Sequence, residues 1–290
     1  MIRRNAIISL FACFIAIVAT GQELLVAENE IWVVAHRGDW RNAPENSIPA
    51  IKRSIQMDVD MVEFDIQQTK DGQFILMHDK SLDRTTNGSG KVSEMTLEEI
   101  NELVLLNGYG LETNVKVPTL KEALIVCKGR IRVFVDKGYE YIGEVHKLAE
   151  ELGMEQQVYF EGKVSPSEIS TNYPQLVGVM NYMPRMNHKT NNPSIELDQW
   201  LVSVKPELVI VTFEDDEDVI IDLVKDPKNI NTRFMAVPLW DNGAGGHTDD
   251  LSVENPEEGW GWLVDKGFRA ICTDRPVELL NYLRIRGKHN

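Results

Sequence analysis

The stretch Ile31-Trp32-Val33-Val34-Ala35 runs directly into His36-Arg37-Gly38, and Val59-Asp60-Met61-Val62-Glu63-Phe64-Asp65-Ile66 repeats the design, with acids near its far end. Both are apolar runs of strand length that finish in charge. Between them, Ser47 to Gln56 carries apolar residues at helical spacing, and Asn46 is placed to cap that helix. Two further charged islands, Pro44-Glu45-Asn46 and His78-Asp79, complete the pattern over Ile31 to Asp83. Strand, charged end, helix and strand again is the rhythm of a β/α unit.

Outward from this stretch the alternation continues. Residues 67–118 interrupt it with a turn at Asp71-Gly72, a β-like run Gln73 to Met77, a polar loop Thr85 to Lys91 and a helical segment Thr96 to Leu106, which together read as an insertion after the second strand. The predicted pairs that follow are helix Leu120–Cys127 with strand Ile131–Asp136, and helix Tyr141–Leu152 with strand Gln157–Phe160. Next come Pro166–Thr171 with Leu176–Met180, Ile195–Val204 with Leu208–Thr212, and Asp216–Val224 with Arg233–Val237. Pro256–Lys266 with Ala270–Thr273 ends the series, and Pro276–Arg284 closes the chain as a helix. Eight strands joined by helical crossovers predict an α/β fold, a single (β/α)8 TIM barrel with its chemistry at the C-terminal ends of the strands. No Ser/Gly-rich linker or charge block divides residues 22–290, so they form one expected domain.

The N-terminus reads differently. Arg3 and Arg4 precede an apolar run from Ala6 to Ala19, and Ala19-Thr20-Gly21 supplies small residues for cleavage, so residues 1–21 are expected to be a signal peptide and the protein exported, periplasmic or secreted. A retained anchor is the alternative, but the run is shorter than the roughly 20 residues of a spanning helix. The formal charge is -15; without residues 1–21 the chain keeps 28 basic against 45 acidic side chains. Such a surface repels nucleic acid and anionic bilayers, and an anionic substrate then needs a local device such as a metal ion or a few placed cations. Cys127 and Cys272 read as buried small hydrophobes and not as a disulfide.

Successive strand residues face opposite ways, so Glu63 and Asp65 project together toward the barrel interior or its mouth. Solvated carboxylates are the ordinary fate of such residues. Two inward acids on an apolar strand, however, are costly to bury unless a cation lies between them, and an all-oxygen site suits Mg²⁺ or Ca²⁺. Asp136 ends Val133-Phe134-Val135 in the same way and offers a third ligand, with a helix cap before Tyr139 as its plainer role. His36 and His78 each end an apolar run and suit proton transfer near neutral pH; singly, either reads equally as a structural histidine. Arg37 can hold a phosphate through two parallel hydrogen bonds, and Lys137 is a weaker candidate for that job.

Taken together, His36-Arg37-Gly38, Pro44-Glu45-Asn46-Ser47, Glu63-Phe64-Asp65, Thr69-Lys70-Asp71-Gly72, His78-Asp79 and Leu82-Asp83-Arg84-Thr85-Thr86 closely resemble the signature of the glycerophosphodiester phosphodiesterase family, with an echo in Thr273-Asp274-Arg275-Pro276. The resemblance is dense over residues 31–100 and specific, because six spaced motifs agree in order. It implies a β/α barrel with an insertion after the second strand, and a divalent ion on Glu63, Asp65 and Asp136, with Glu45 as ligand or orienting group. It also implies a phosphate contact from Arg37, proton transfer by His36 and His78, and a glycerol pocket lined by Trp240. The third-strand acid is usually Glu followed two residues later by Lys, whereas here Lys137 directly follows Asp136 and Gly138 takes the lysine's place. The loop Asp241 to Asp250 is either a plain structural loop or a lid that brings His247 to the pocket.

The activity implied is hydrolysis of a small-molecule glycerophosphodiester to sn-glycerol 3-phosphate and an alcohol through a cyclic phosphate. The alternatives are a phospholipase acting on intact lipids, for which the sequence shows no apolar wedge or basic patch, and a periplasmic module that binds phosphodiesters without cleaving them.

Overall fold

A computed structural model describes residues 30–162, 164–229 and 231–290. The expected signal peptide lies outside these residues, and among the described residues no helix is long and apolar enough to cross a membrane.

The strands are β1 (Trp32–Ala35), β2 (Met61–Gln68), β3 (Phe74–Leu76), β4 (Arg132–Asp136), β5 (Val158–Gly162), β6 (Asn181–Asn187), β7 (Leu208–Thr212), β8 (Arg233–Ala236) and β9 (Ala270–Thr273). All but β3 are parallel and run in the order β1-β2-β4-β5-β6-β7-β8-β9, and β9 pairs back onto β1 to close an eight-stranded barrel. Around it lie α1 (Ile48–Gln56), α2 (Leu97–Asn101), α3 (Leu120–Cys127), α4 (Ile142–Leu152), α5 (Pro166–Asn172), α6 (Pro193–Ser203), α7 (Ile221–Lys225), α8 (Asp249–Glu254), α9 (Trp262–Lys266) and α10 (Pro276–Ile285).

Strand alternation sorts the side chains into layers. Trp32, Val34, Met61, Phe134, Tyr159, Ile210 and Met235 fill the barrel interior, whereas Val33, Val62, Phe64, Val133, Val135 and Phe160 pack outward under the helices. With Met61 inward, Glu63 and Asp65 follow it by period two. The β2–β4 register sets Glu63 against Phe134 and Asp65 against Asp136, which carries all three acids to the upper end of the barrel.

Between β2 and α3 the chain builds an outwork. β3 folds back antiparallel on β2, with Ile66 opposite Leu76, and Ile75, Met77, Leu82, Val92, Ile100, Leu105 and Val117 form a separate small core beneath it. Thr96 and Thr119 open α2 and α3 with capping boxes closed by Glu99 and Glu122.

Several expected elements differ. The cap of α1 is Ser47, whose extended backbone lets its hydroxyl accept from the Ala50 N–H, whereas Asn46 stands at φ 53° and has another task. The strand expected at Leu176–Met180 is turn, and β6 starts at Asn181, because its Asn, Pro and Arg residues hide a strand that is apolar over only part of its length. The helix expected over Thr96–Leu106 ends at Asn101; Leu105 instead exchanges backbone hydrogen bonds with Thr113 and Val115. The helix expected at Asp216–Val224 shrinks to Ile221–Lys225, since Asp215 and Asp218 bond forward to backbone N–H groups in turns. Pro256–Lys266 divides into one wide turn, Glu257–Gly261, and α9. α8 was not expected at all; Thr248 caps it at the end of the polar loop.

Candidate active site

At the barrel mouth Glu63, Asp65 and Asp136 each place a carboxylate oxygen within 4.8 Å of the others. Burial pushes Glu63 well above the usual carboxylate range, and the charges of Asp65 and Asp136 push it further. Asp136 is raised by burial, then by Glu161 and Asp65. Asp65 ends below its ordinary value: burial works against the charge, but the Lys137 ammonium at 2.8 Å and the Asn46 amide at 2.9 Å outweigh it. Asn46 also accepts the Asp65 backbone N–H at 3.0 Å, so the residue expected to cap a helix clamps an acid of the site instead.

The cations come from two left-handed backbone positions, Arg37 at φ 54° and Lys137 at φ 61°. The Arg37 N–H donates to Glu63 Oε2 at 2.7 Å, its Nη1 donates to Glu45 at 3.1 Å, and its Nε lies 3.5 Å from Asp65. Lys137 Nζ donates to Asp65 and to the His78 carbonyl, so the lysine reaches the acids from one position earlier than the family pattern places it. Glu45 stands apart from the three-acid group. Arg84 takes both its oxygens, at 2.7 and 2.8 Å, and Arg37 shares one, which makes it an anchor for two guanidinium groups.

Each histidine is held by Nδ1. His36 meets Asp274 at 2.7 Å, with its Nε2 4.0 Å from Glu63, and His78 meets Asp79 at 2.6 Å. Asp79 is itself gripped by Arg84, which holds its carboxyl far below the usual range. A cavity of about 420 Å³ opens over His36, Arg37, Trp40, Glu45, Arg84 and Trp240, while His78, Asp79 and Lys137 line a second one. Trp240 is 55% exposed at the rim, edge-on to the His36 ring at 6.4 Å. His247 faces neither cavity: it stacks on Trp262 at 3.8 Å and bonds Asp216 and the Glu258 carbonyl, so its loop is pinned as structure.

Some members of the site were not singled out in the sequence. Glu161 stands near the end of β5 after Val158-Tyr159-Phe160, the same signal that exposed Glu63, and forms a two-pronged ion pair with Arg185 of β6. Arg185 was hidden by the misplaced fifth barrel strand. The pairings of Asp274 and Asp79 with the histidines need tertiary structure to be seen. Cys127 and Cys272 are both buried and free.

Comparisons with known proteins agree with this geometry. The model of the glycerophosphoryl diester phosphodiesterase family matches residues 36–166, and a second model, described as a domain of unknown function, matches residues 182–283. A glycerophosphodiester phosphodiesterase of Caldanaerobacter subterraneus is 47% identical over 91 residues, 31% of this chain and 37% of the relative. Human glycerophosphodiester phosphodiesterase 1 is 32% identical over 174 residues, 58% of this chain and 47% of the relative. The chain thus spans between about a third and a half of these curated relatives' length. A solved glycerophosphoryl diester phosphodiesterase from Parabacteroides distasonis superposes with a TM-score of 0.75 at 22% identity, covering 90% of this chain and 88% of that one, which establishes the shared barrel. A phosphodiesterase from Oleispira antarctica, solved with sn-glycerol 3-phosphate, superposes with a TM-score of 0.61 at 19% identity, covering 88% of this chain and 96% of that one. Residues 36–166 thus match the glycerophosphoryl diester phosphodiesterase family, and the barrel as a whole is the fold shared with the solved neighbours.

Proposed function

We propose that the protein hydrolyses glycerophosphodiesters to sn-glycerol 3-phosphate and an alcohol. The observation that carries this reading is the pair of carboxylate-held histidines beside a three-acid cluster with Arg37 and Lys137. The product bound by the Oleispira neighbour supports the same substrate class. Because each Nδ1 faces a carboxylate, each neutral ring keeps its proton there and leaves Nε2 to exchange protons. One histidine takes the proton of the glycerol 2-hydroxyl as that oxygen attacks phosphorus. The other protonates the departing alcohol, and the cyclic phosphate is opened by water with the roles reversed. Arg37 and Lys137 hold the phosphoryl oxygens and offset their charge.

The donor set fits a hard divalent cation. Glu63, Asp65 and the partly buried Asp136 offer only oxygen, burial and the charges of neighbouring acids raise Glu63 and Asp136, and the three would hold Mg²⁺ or Ca²⁺. When bound, the ion supplies charge stabilisation at the phosphoryl oxygens. Export is part of the proposal and rests on residues 1–21.

A second reading, that the substrate carries an acyl chain, is favoured by Tyr109 and Leu111, which are 91% and 63% exposed beside the cavity-lining Gly108 and Gly110. Purified protein assayed with Mg²⁺ or Ca²⁺ on glycerophosphocholine, glycerophosphoethanolamine and lysophosphatidylcholine separates the readings by product. His36→Ala and His78→Ala should each lower kcat about 10²- to 10⁴-fold with the fold intact. Wild-type rates in both variants would rule out the acid/base assignment, full activity in chelator would rule out the metal, and binding of all three without turnover would mark a binding protein.

A further inference from the structure

Asp249, the first residue of α8, is buried, and three hydrogen bonds converge on its carboxylate. Oδ1 accepts from Trp260 Nε1 and from Thr273 Oγ1, each at 2.8 Å, and Oδ2 accepts from the Asp274 backbone N–H at 2.7 Å. None of these donors is charged. The helix does not need this acid as a cap, because Thr248 already caps it. Keeping a carboxylate here is costly, and burial pushes it up to about 6 despite the three donors.

What the cost secures lies one step further on. The two bonds to Thr273 and Asp274 fix the end of β9. From there the Asp274 carboxylate receives the Trp40 indole N–H at 2.6 Å and meets His36 Nδ1 at 2.7 Å, while the His36 backbone N–H donates to the Thr273 carbonyl at 3.1 Å. Asp274 is held below its ordinary value: burial opposes the charge, and the bonds from His36 and Trp40 overcome it. The route from Asp249 to the imidazole is two hydrogen-bonded steps. Both acids belong to the segment matched to the domain of unknown function.

We propose that Asp274 and Asp249 are positioning residues for His36, Asp274 fixing the imidazole so that Nε2 faces the acid cluster and Asp249 fixing Asp274. Asp249 then couples α8 and the wide turn that carries Trp260 to the proton-transfer group. The inference rests on the reading of His36 as that group.

The test compares Asp274→Asn, Asp249→Asn and His36→Ala, singly and combined, in the Mg²⁺-loaded enzyme with glycerophosphocholine. Each aspartate variant is expected to lower kcat about 10- to 100-fold, as outer partners of a reacting group do, with KM changed less than about twofold. In the His36→Ala background, Asp249→Asn and Asp274→Asn should each cost no more than a further factor of about two, since the group they position is gone. Wild-type kcat in the aspartate variants, a rise in KM alone, or losses that multiply in full with His36→Ala would overturn the proposal. If Asp249→Asn does not fold, Thr273→Val removes one donor at nearly constant shape and must show the same kcat-only loss. An unimpaired His36→Ala refutes the functional reading itself; an impaired His36→Ala beside normal aspartate variants refutes only this inference.

Discussion

Glu63 and Asp65 stand two residues apart on one strand, yet their surroundings drive them in opposite directions. Lys137 and Asn46 satisfy both oxygens of Asp65, so its charge is at home in the fold. Glu63 has one backbone N–H and two like charges nearby, and it holds its proton to higher pH. A carboxyl raised in this way contributes stability below its unfolded value that is lost as pH rises through its folded value. A cation must displace that proton in order to bind. Affinity for Mg²⁺ or Ca²⁺ should therefore tighten as pH rises through the range above the usual carboxylate values, up to about tenfold per unit where one proton is displaced per ion. Calorimetric titration across that range checks this, and a pH-independent affinity would place the ion on other ligands. Glu45, which the motif offers as a ligand or orienting group, accepts hydrogen bonds from two arginines, Arg84 and Arg37.

Short elements with polar interiors carry much of the site's precision. β6 holds Arg185 against Glu161, and the wide turn Glu257–Gly261 sets Trp260 over Asp249. That turn packs closely on α8. A Cβ added at Gly259 would lie 1.9 Å from Ser252 Oγ and 2.9 Å from its Cα, and Ser252 Oγ also receives the Trp260 N–H. Gly259→Ala should cost about 1–3 kcal/mol of stability through this overlap. Denaturant unfolding measures it, with Gly90→Ala unsuitable as a control because Gly90 has φ 102°. Gly143→Ala, in α4 with open space around its Cβ position, should be neutral or stabilising by comparison.

For the molecule as a whole, acid sites at the mouth and the buried Asp249 tie global stability to pH. Asp249 is raised to about 6 in the fold, so its term favours folding fully below the unfolded carboxylate range and fades as pH rises toward and past 6. The shift is worth about 3 kcal/mol at most. Asp249→Asn should therefore lose less stability than the wild type between pH 4.5 and 7, read as the difference in unfolding free energy at the two values; equal differences would contradict the assignment. Much of this architecture was legible in the residues. Period-two acids at the end of an apolar strand, and apolar runs alternating with helical spacing, follow from local backbone geometry, which sequence encodes directly. They predicted the barrel, and the motifs led to His36, His78, Arg37, Glu63, Asp65 and Asp136. Contacts between distant segments were not legible. Asp274 meets His36 across 238 positions, Asn46 meets Asp65 across 19, and Lys137 reaches Asp65 through a left-handed turn. Which carboxylate binds an arginine, which faces its own kind and which orients a histidine depends on barrel closure and strand register, so only the tertiary structure decided it.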